Sequence, residues 1–319
     1  MDPLLKIENL NVSFRLSDSK VLAVRDVSFQ LEQGKTLGLV GESGCGKSVT
    51  AFSLLRLIYP PGVIESGTIR YQGKDLLTMN DEEIRKIRGR QIAMIFQEPM
   101  TSLNPVFRIG YQISETIRLH LNRDKEEARE MAVDLLRQVG IPSPETRYNS
   151  YPHELSGGMR QRVMIAIALS AMPSVLIADE PTTALDVTIQ AQILDLLLRL
   201  QQERRMSLLI ITHDLGIVAN AADEIAIMYA GEIVERGSVE RIFQGRLHPY
   251  TTGLFEAIPR IGENRERMKN IPGLVPTLTE SPTGCVFYER CFKRGDECLK
   301  QTIPLREISE GHYVRCIRV

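Results

Sequence analysis

A chain of 319 residues carries 39 Lys+Arg against 40 Asp+Glu, a formal net charge of −1. That balance argues against a broad basic face for nucleic acid, leaving local patches open, and no stretch approaches the roughly 18–20 apolar residues that span a bilayer. The opening Met1-Asp2-Pro3-Leu4-Leu5-Lys6 has no basic segment leading into an apolar run, so no secretory signal is read. The expectation is a soluble, cytosolic chain with one large domain and an appendage, any membrane role coming through a partner.

In chain order, residues 4–10 and 24–31 read as short, partly alternating strands. Residues 36–40 form an apolar strand that runs into a glycine loop, and 48–58 carry a helical pattern. Residues 91–96 are a further strand. Residues 109–139 have helical periodicity, with the charge run 123–130 on a solvated face. Ser156 sits at a helix N-cap, and 157–169 continue as helix. The short apolar runs 175–178, 208–211 and 225–228 alternate with helical segments such as 188–201. Such alternation predicts an α/β fold with a parallel sheet covered on both faces. After about Gly245 prolines recur at 249, 259, 272, 276, 282 and 304. Residues 1–245 are therefore read as the main domain. Residues 246–319 are read as a helical turn, a linker and a small cysteine-stapled module.

Gly41-Glu42-Ser43-Gly44-Cys45-Gly46-Lys47-Ser48 fits G-x-x-x-x-G-K-S/T, placed between a strand and a helix as that motif requires. Its glycines let consecutive N–H groups face phosphates, and the helix start that follows (Lys47, Ser48, Val49) favours an anion. Lys47 is expected at the outer phosphates and the Ser48 hydroxyl on Mg²⁺. The Cys45 side chain is read as incidental. The strand 175–178 ends in Asp179-Glu180. Two carboxylates beside phosphates repel them unless a cation intervenes, which points to a metal site. Asp179 suits the metal shell and Glu180 the attacking water. Gln97 follows one strand and His213 another, and each gains weight from its place in this series.

Gln97, Leu155-Ser156-Gly157-Gly158, Asp179-Glu180, Ala184-Leu185-Asp186 and His213 occur in the order and spacing of ATP-binding-cassette ATPases, which the chain resembles from about Leu4 to Phe243. The resemblance implies a P-loop NTPase domain with a RecA-like parallel-sheet core, an N-terminal antiparallel β subdomain and a helical subdomain. It implies ATP and Mg²⁺ as cofactors, with Ser48 and Gln97 as the metal-binding pair. Glu180 becomes the general base, His213 the switch histidine, and Leu185 and Asp186 part of a dimer-crossing loop. Phe14 is the candidate for the aromatic that stacks on adenine. It also implies a second ATPase subunit, identical or paralogous. Ser156, Gly157 and Gly158 of one subunit offer a hydroxyl and N–H groups at a helix start, a second anion site aimed at the γ-phosphate on the other subunit. On this reading the signature cannot reach its own chain's nucleotide.

The runs Gln97-Glu98-Pro99-Met100-Thr101-Ser102-Leu103-Asn104-Pro105, His248-Pro249-Tyr250-Thr251-Thr252-Gly253-Leu254 and Ile271-Pro272-Gly273, with Pro276, Pro282-Thr283-Gly284-Cys285 and Arg290-Cys291, are similar to importers of oligopeptides, dipeptides and nickel. That likeness covers essentially the whole chain. It implies import of peptides, two membrane permeases, an extracytoplasmic solute-binding protein, no nucleic acid, and a peripheral position on the cytoplasmic face of the inner membrane. Residues 98–110 are the candidates for receiving the permease. Nickel and oligosaccharides remain open as solutes. A soluble cassette acting on ribosomes or DNA is disfavoured by the single cassette and the balanced charge. An inactive clamp is disfavoured because Glu180 and His213 are both present. Cys285, Cys291, Cys298 and Cys316 have gaps of 5, 6 and 17 residues, without the short knuckle of structural zinc sites. Four thiolates suit zinc or an iron–sulfur cluster. Family members with such a tail carry a 4Fe–4S cluster, which is the leading expectation, with zinc, empty thiols and disulfides left open. His312 is expected to be solvent-exposed.

Overall fold

The computed structural model describes residues 2–17, 19–97, 102–183, 185–257 and 271–319. In chain order the elements are β1 (Leu5–Arg15), β2 (Lys20–Leu31), β3 (Thr36–Val40), α1 (Lys47–Leu54), β4 (Gly62–Tyr71), β5 (Lys74–Asp75), α2 (Asp81–Ile87) and β6 (Ile92–Ile95). Then come α3 (Ile109–Leu121), α4 (Lys125–Gln138), α5 (Pro144–Arg147), α6 (Gly157–Leu169), β7 (Val175–Asp179), α7 (Val187–Arg204), β8 (Ser207–Thr212) and α8 (Leu215–Ala221). The chain closes with β9 (Glu224–Tyr229), β10 (Glu232–Ser238), α9 (Val239–Gly245), α10 (Pro249–Glu256), β11 (Arg306–Ser309) and β12 (His312–Val314). They fall into two compact units.

The first unit comprises the described residues of Met1–Glu32, Thr36–Thr78 and Ile211–Val319. One sheet in it has the order β2-β1-β4-β5, antiparallel throughout. The strand β4 has no alternation strong enough to read from sequence. A second sheet runs β11-β12-β10-β9-β3. Here β3 pairs parallel with β9, whereas β10 and β12 add antiparallel edges to the expected parallel arrangement. The β9–β10 turn is Ala230-Gly231, both with positive φ (44° and 87°). Positive φ at both central residues is the turn that matches the twist of a two-residue hairpin.

Tail residues share the core of this unit. Tyr229 of β9, Tyr250 of α10 and Phe287 form a mutual ring cluster with centroids 4.7, 5.1 and 5.3 Å apart, and Cys285 and Cys291 pack against it. His312 is corrected: it is buried, not exposed. Its Nε2 lies 2.8 Å from Glu235 Oε1, and the fully buried Glu235 carboxylate also accepts from Leu247 N (2.8 Å) and His248 N (2.9 Å). A carboxylate removed from water needs such donors, so the tail strand β12 is tied to β10 by a polar contact inside the fold. Burial also pushes the His248 imidazole down to about 3. Neutral His248 caps α10, its Nδ1 accepting from Tyr250 N at 3.1 Å.

The second unit comprises Gln33–Lys35 and the described residues of Met79–Ile210. Its strands run β8-β7-β6, with β6 and β7 parallel and Ile92 opposite Val175. The stretch with helical periodicity holds two helices. Asn122 leaves α3 in a left-handed conformation (φ 52°), and Asp124 starts α4 with a capping box shared with Glu127. The charge run covers the N-cap and first turns of α4 and is exposed except at Ala128. In the first unit, α1 likewise ends at Leu54, well short of residue 58, where Arg56 turns left-handed.

Candidate functional site

In the first unit the glycine loop joins β3 to α1. Gly46 is the N-cap of α1 with φ 103°, and a Cβ there would strike the Ala23 carbonyl and come within 2.8 Å of Met228 Cε. Only glycine fits this bend. Gly41 is equally confined, since a Cβ would meet the Met228 carbonyl. Ser43 and Gly44 are exposed at the tip, Ser48 and Val49 are half-buried in the first turn of α1, and Cys45 is buried. Burial pushes the Cys45 thiol up, so it stays protonated. Lys47 is buried, and its Nζ donates to the carbonyls of Gly41 (2.7 Å) and Glu42 (3.0 Å) inside the loop. Phe14 lies on β1, half-buried, with its ring 2.8 Å from where a Gly62 Cβ would sit. His213 is exposed just after β8, and Asp214 caps α8 through Gly216 N at 2.7 Å.

In the second unit Gln97 and Glu180 come together. Gln97 Nε2 donates to Glu180 Oε2 at 3.0 Å, and Thr183 Oγ1 donates to the same oxygen at 2.9 Å. Glu180 has φ 45°, a left-handed backbone that a non-glycine residue holds only when its surroundings enforce it. Asp179 ends β7 and is 1% exposed. Ser156 caps α6, its hydroxyl accepting from Met159 N at 3.3 Å, and Ser156 and Gly157 face solvent. Arg160 Nε donates to the carbonyls of Pro152 (2.9 Å) and Leu155 (3.1 Å), fixing the approach to the cap. Leu185 lies 3.6 Å from where a Gly157 Cβ would be, and Asp186 caps α7 through Ile189 N at 3.0 Å. The residues Ala184, 98–101 and 258–270 lie outside the described residues, so part of the expected dimer-crossing loop, of the candidate segment 98–110 and of the expected linker falls there.

Cys285, Cys291, Cys298 and Cys316 line one small pocket together with His248, and none is disulfide-bonded. Burial pushes Cys285 up to about 12 and raises Cys291 and Cys316. Backbone N–H groups of Lys293 and Arg318 reach the sulfurs of Cys291 and Cys316, each at 3.4 Å. Among the described residues no three or more His, Cys, Asp or Glu side chains assemble a site for a metal ion.

Residues 24–183 match the family model described as ABC transporter. The chain belongs to the ABC transporter ATPases. Within this ABC ATPase, residues 234–298 match a second model, the C-terminal region of oligopeptide/dipeptide transporters. The chain is 50% identical to the oligopeptide transport ATP-binding protein OppD of Bacillus subtilis over 314 residues, 98% of this chain and 88% of that protein. It is 46% identical to the dipeptide transport ATP-binding protein DppD of Escherichia coli over 313 residues, 98% of this chain and 96% of that one. Among solved structures, the ATP-binding cassette MJ0796, a dimer in a post-hydrolysis state bound to ADP and Pi, superposes with a TM-score of 0.67 at 25% identity, covering 74% of this chain and 98% of that one. No helix among the described residues is long and apolar enough to cross a membrane.

Two contacts in this ABC ATPase escape sequence reasoning. Thr183, which helps hold Glu180, is one of many threonines with no distinguishing pattern. Arg290 forks onto Glu42 at 3.1 and 3.0 Å although 248 positions separate them. The motifs around both residues are visible, but nothing local pairs them.

Proposed function

We propose that this ATPase powers import of di- or oligopeptides as the nucleotide-hydrolysing subunit of a membrane transporter. The single observation that carries the reading is the presence, in one chain, of the cassette match and the oligopeptide/dipeptide C-terminal match. In the first unit the loop N–H groups and Lys47 bind the phosphates of ATP, Phe14 stacks on adenine, and His213 touches the γ-phosphate. In the second unit Glu180 takes the proton of the water that attacks the γ-phosphorus in line, leaving ADP and phosphate. Gln97 orients that carboxylate. Ser48, Gln97 and Asp179 are assigned to hold Mg²⁺, which when bound neutralises phosphate charge. Ser156, Gly157 and Gly158 of a second subunit add N–H and hydroxyl donors to the γ-phosphate, so closure of the pair depends on ATP. Two permeases, contacted through residues 98–110, and a solute-binding protein complete the assembly at the cytoplasmic face of the membrane.

Residues 246–319 act as an extension that carries a 4Fe–4S cluster on Cys285, Cys291, Cys298 and Cys316. Support comes from four unpaired thiols on one pocket and from two N–H···S contacts of the kind that stabilise thiolate ligands. A cluster binds its cysteines at separate corners, so it does not require the tight ligand set of a single ion. Bound there, the cluster would staple a segment too small to hold itself.

The test is reconstitution of the complex in proteoliposomes with defined solutes. The reading expects ATP-dependent accumulation of peptides together with peptide-stimulated hydrolysis. Accumulation of nickel or an oligosaccharide in place of peptides would overturn the peptide assignment, and co-purification with ribosomes or DNA in place of permeases would overturn the transporter reading.

A further inference from the structure

Glu42, the first variable residue of the phosphate loop, is held from the C-terminal extension at two points. Its backbone N–H donates to the Tyr250 hydroxyl at 3.0 Å, and Tyr250 is fully buried. Its carboxylate receives Nη1 and Nη2 of Arg290 at 3.1 and 3.0 Å, a two-pronged, charge-assisted pair. Arg290 itself has little freedom. Its Nε donates to Pro272 O at 2.8 Å, its Nη2 also reaches Ile271 O at 3.2 Å, and its guanidinium sits 5.6 Å over the Tyr229 ring. The Arg290 side chain is 6% exposed. A charge so enclosed is expensive to leave unpaired, so the fork onto Glu42 is strongly favoured.

The tie leads on to the phosphate-binding group. Glu42 O accepts from Lys47 Nζ at 3.0 Å, and Gly41 O does so at 2.7 Å. From Arg290 through the Glu42 carboxylate to the Glu42 carbonyl and the Lys47 ammonium there are two bonded contacts and one residue. Tyr250 fixes the same residue by its N–H, which takes that amide out of the set of loop donors free to face an anion. The loop's curvature at its entry is therefore set by α10 and the tail, besides its own glycines.

Resting on the reading of this loop as the ATP site, we propose that Arg290 and Tyr250 are positioning residues for that site: the C-terminal extension holds the phosphate loop in its binding conformation through Glu42, so affinity for ATP depends on the tail. Neither side chain touches the nucleotide on this account. Both act through the backbone of Glu42 and through Lys47.

The test measures equilibrium binding of a fluorescent ATP analogue and steady-state hydrolysis by the full chain for Arg290→Gln, Arg290→Lys, Glu42→Gln, Tyr250→Phe and the double variant Glu42→Gln/Arg290→Gln. Loss of the fork should weaken nucleotide binding and raise KM roughly tenfold, the size of one charge-assisted bond lost from pre-organisation, with kcat changed by less than about threefold. Arg290→Lys should recover part of the affinity. The double variant should be no worse than the poorer single one, because both break the same pair. Tyr250→Phe, which keeps the buried ring, should weaken binding without a large fall in thermal midpoint. Unchanged affinity in Arg290→Gln and Tyr250→Phe, or additive losses in the double variant, would overturn the proposal while leaving the ATP site intact. Absence of ATP binding by the wild-type chain would overturn the site and the proposal together.

Discussion

Gln97 donates to Glu180 across 3.0 Å, and Thr183 donates to the same carboxylate oxygen at 2.9 Å. Both donors are neutral. They orient the carboxylate without cancelling its charge, as the proposed role of Glu180 as base for water requires. The left-handed backbone of Glu180 turns the residue out of the line of β7.

Removing one of these donors should therefore lower turnover more than affinity. Thr183→Val leaves the loop residues untouched and should reduce kcat about tenfold, a fraction of the roughly 10²–10⁴-fold that a positioned base contributes, with KM for ATP changed little. Steady-state hydrolysis checks the split; a rise in KM at constant kcat would assign Thr183 to binding instead.

The buried carboxylate of Glu235 accepts from Leu247 N, His248 N and His312 Nε2. Glu235→Ala leaves three donors inside the fold without that acceptor and should cost about 3 kcal/mol of stability. Glu235→Gln retains one acceptor oxygen and should cost less. Denaturant midpoints of the three proteins give the comparison.

His120, on α3, is held below its ordinary range by burial, with Arg90 adding to the effect. The folded chain therefore binds this proton less readily than the unfolded chain. The contribution of a neutral His120 is complete above the ordinary value of 6.5 and is lost as pH falls through it. His120→Gln should flatten the thermal midpoint between about pH 7.5 and pH 5.5 relative to wild type.

Protein purified without oxygen should be brown, with broad visible absorption and roughly four irons per chain. Cys298→Ser should bleach it and loosen the tail, seen as faster proteolysis within the last residues. A colourless sample carrying stoichiometric zinc would contradict the cluster.

The fold was largely legible where period and punctuation agree. Ser156 was readable as a cap because a helical pattern begins directly after it, and α6 spans the residues expected. The strand β7 was readable from an unbroken apolar run ending in Asp179. Boundaries set by one residue's backbone were less so: Arg56 turns left-handed just past α1, and an arginine carries no breaker signal. Contacts between distant positions were least legible. A histidine in a short polar tail usually lies at the surface, whereas the partner that buries His312, Glu235, lies 77 positions away. Arg290 and Glu42 each belong to a visible motif, but only folding brings α10, the tail and the phosphate loop to one core. Within the second unit, the order of motifs in the sequence singles out Gln97 and Glu180, and a direct hydrogen bond joins them.

Glu180 is proposed to drive hydrolysis of ATP held by a closing pair of subunits. Light scattering of Glu180→Gln with MgATP tests it most directly. The expected result is a stable dimer that retains ATP, while the same protein without nucleotide is monomeric. A variant that stays monomeric with ATP bound, or that consumes the ATP at the wild-type rate during the measurement, would contradict it.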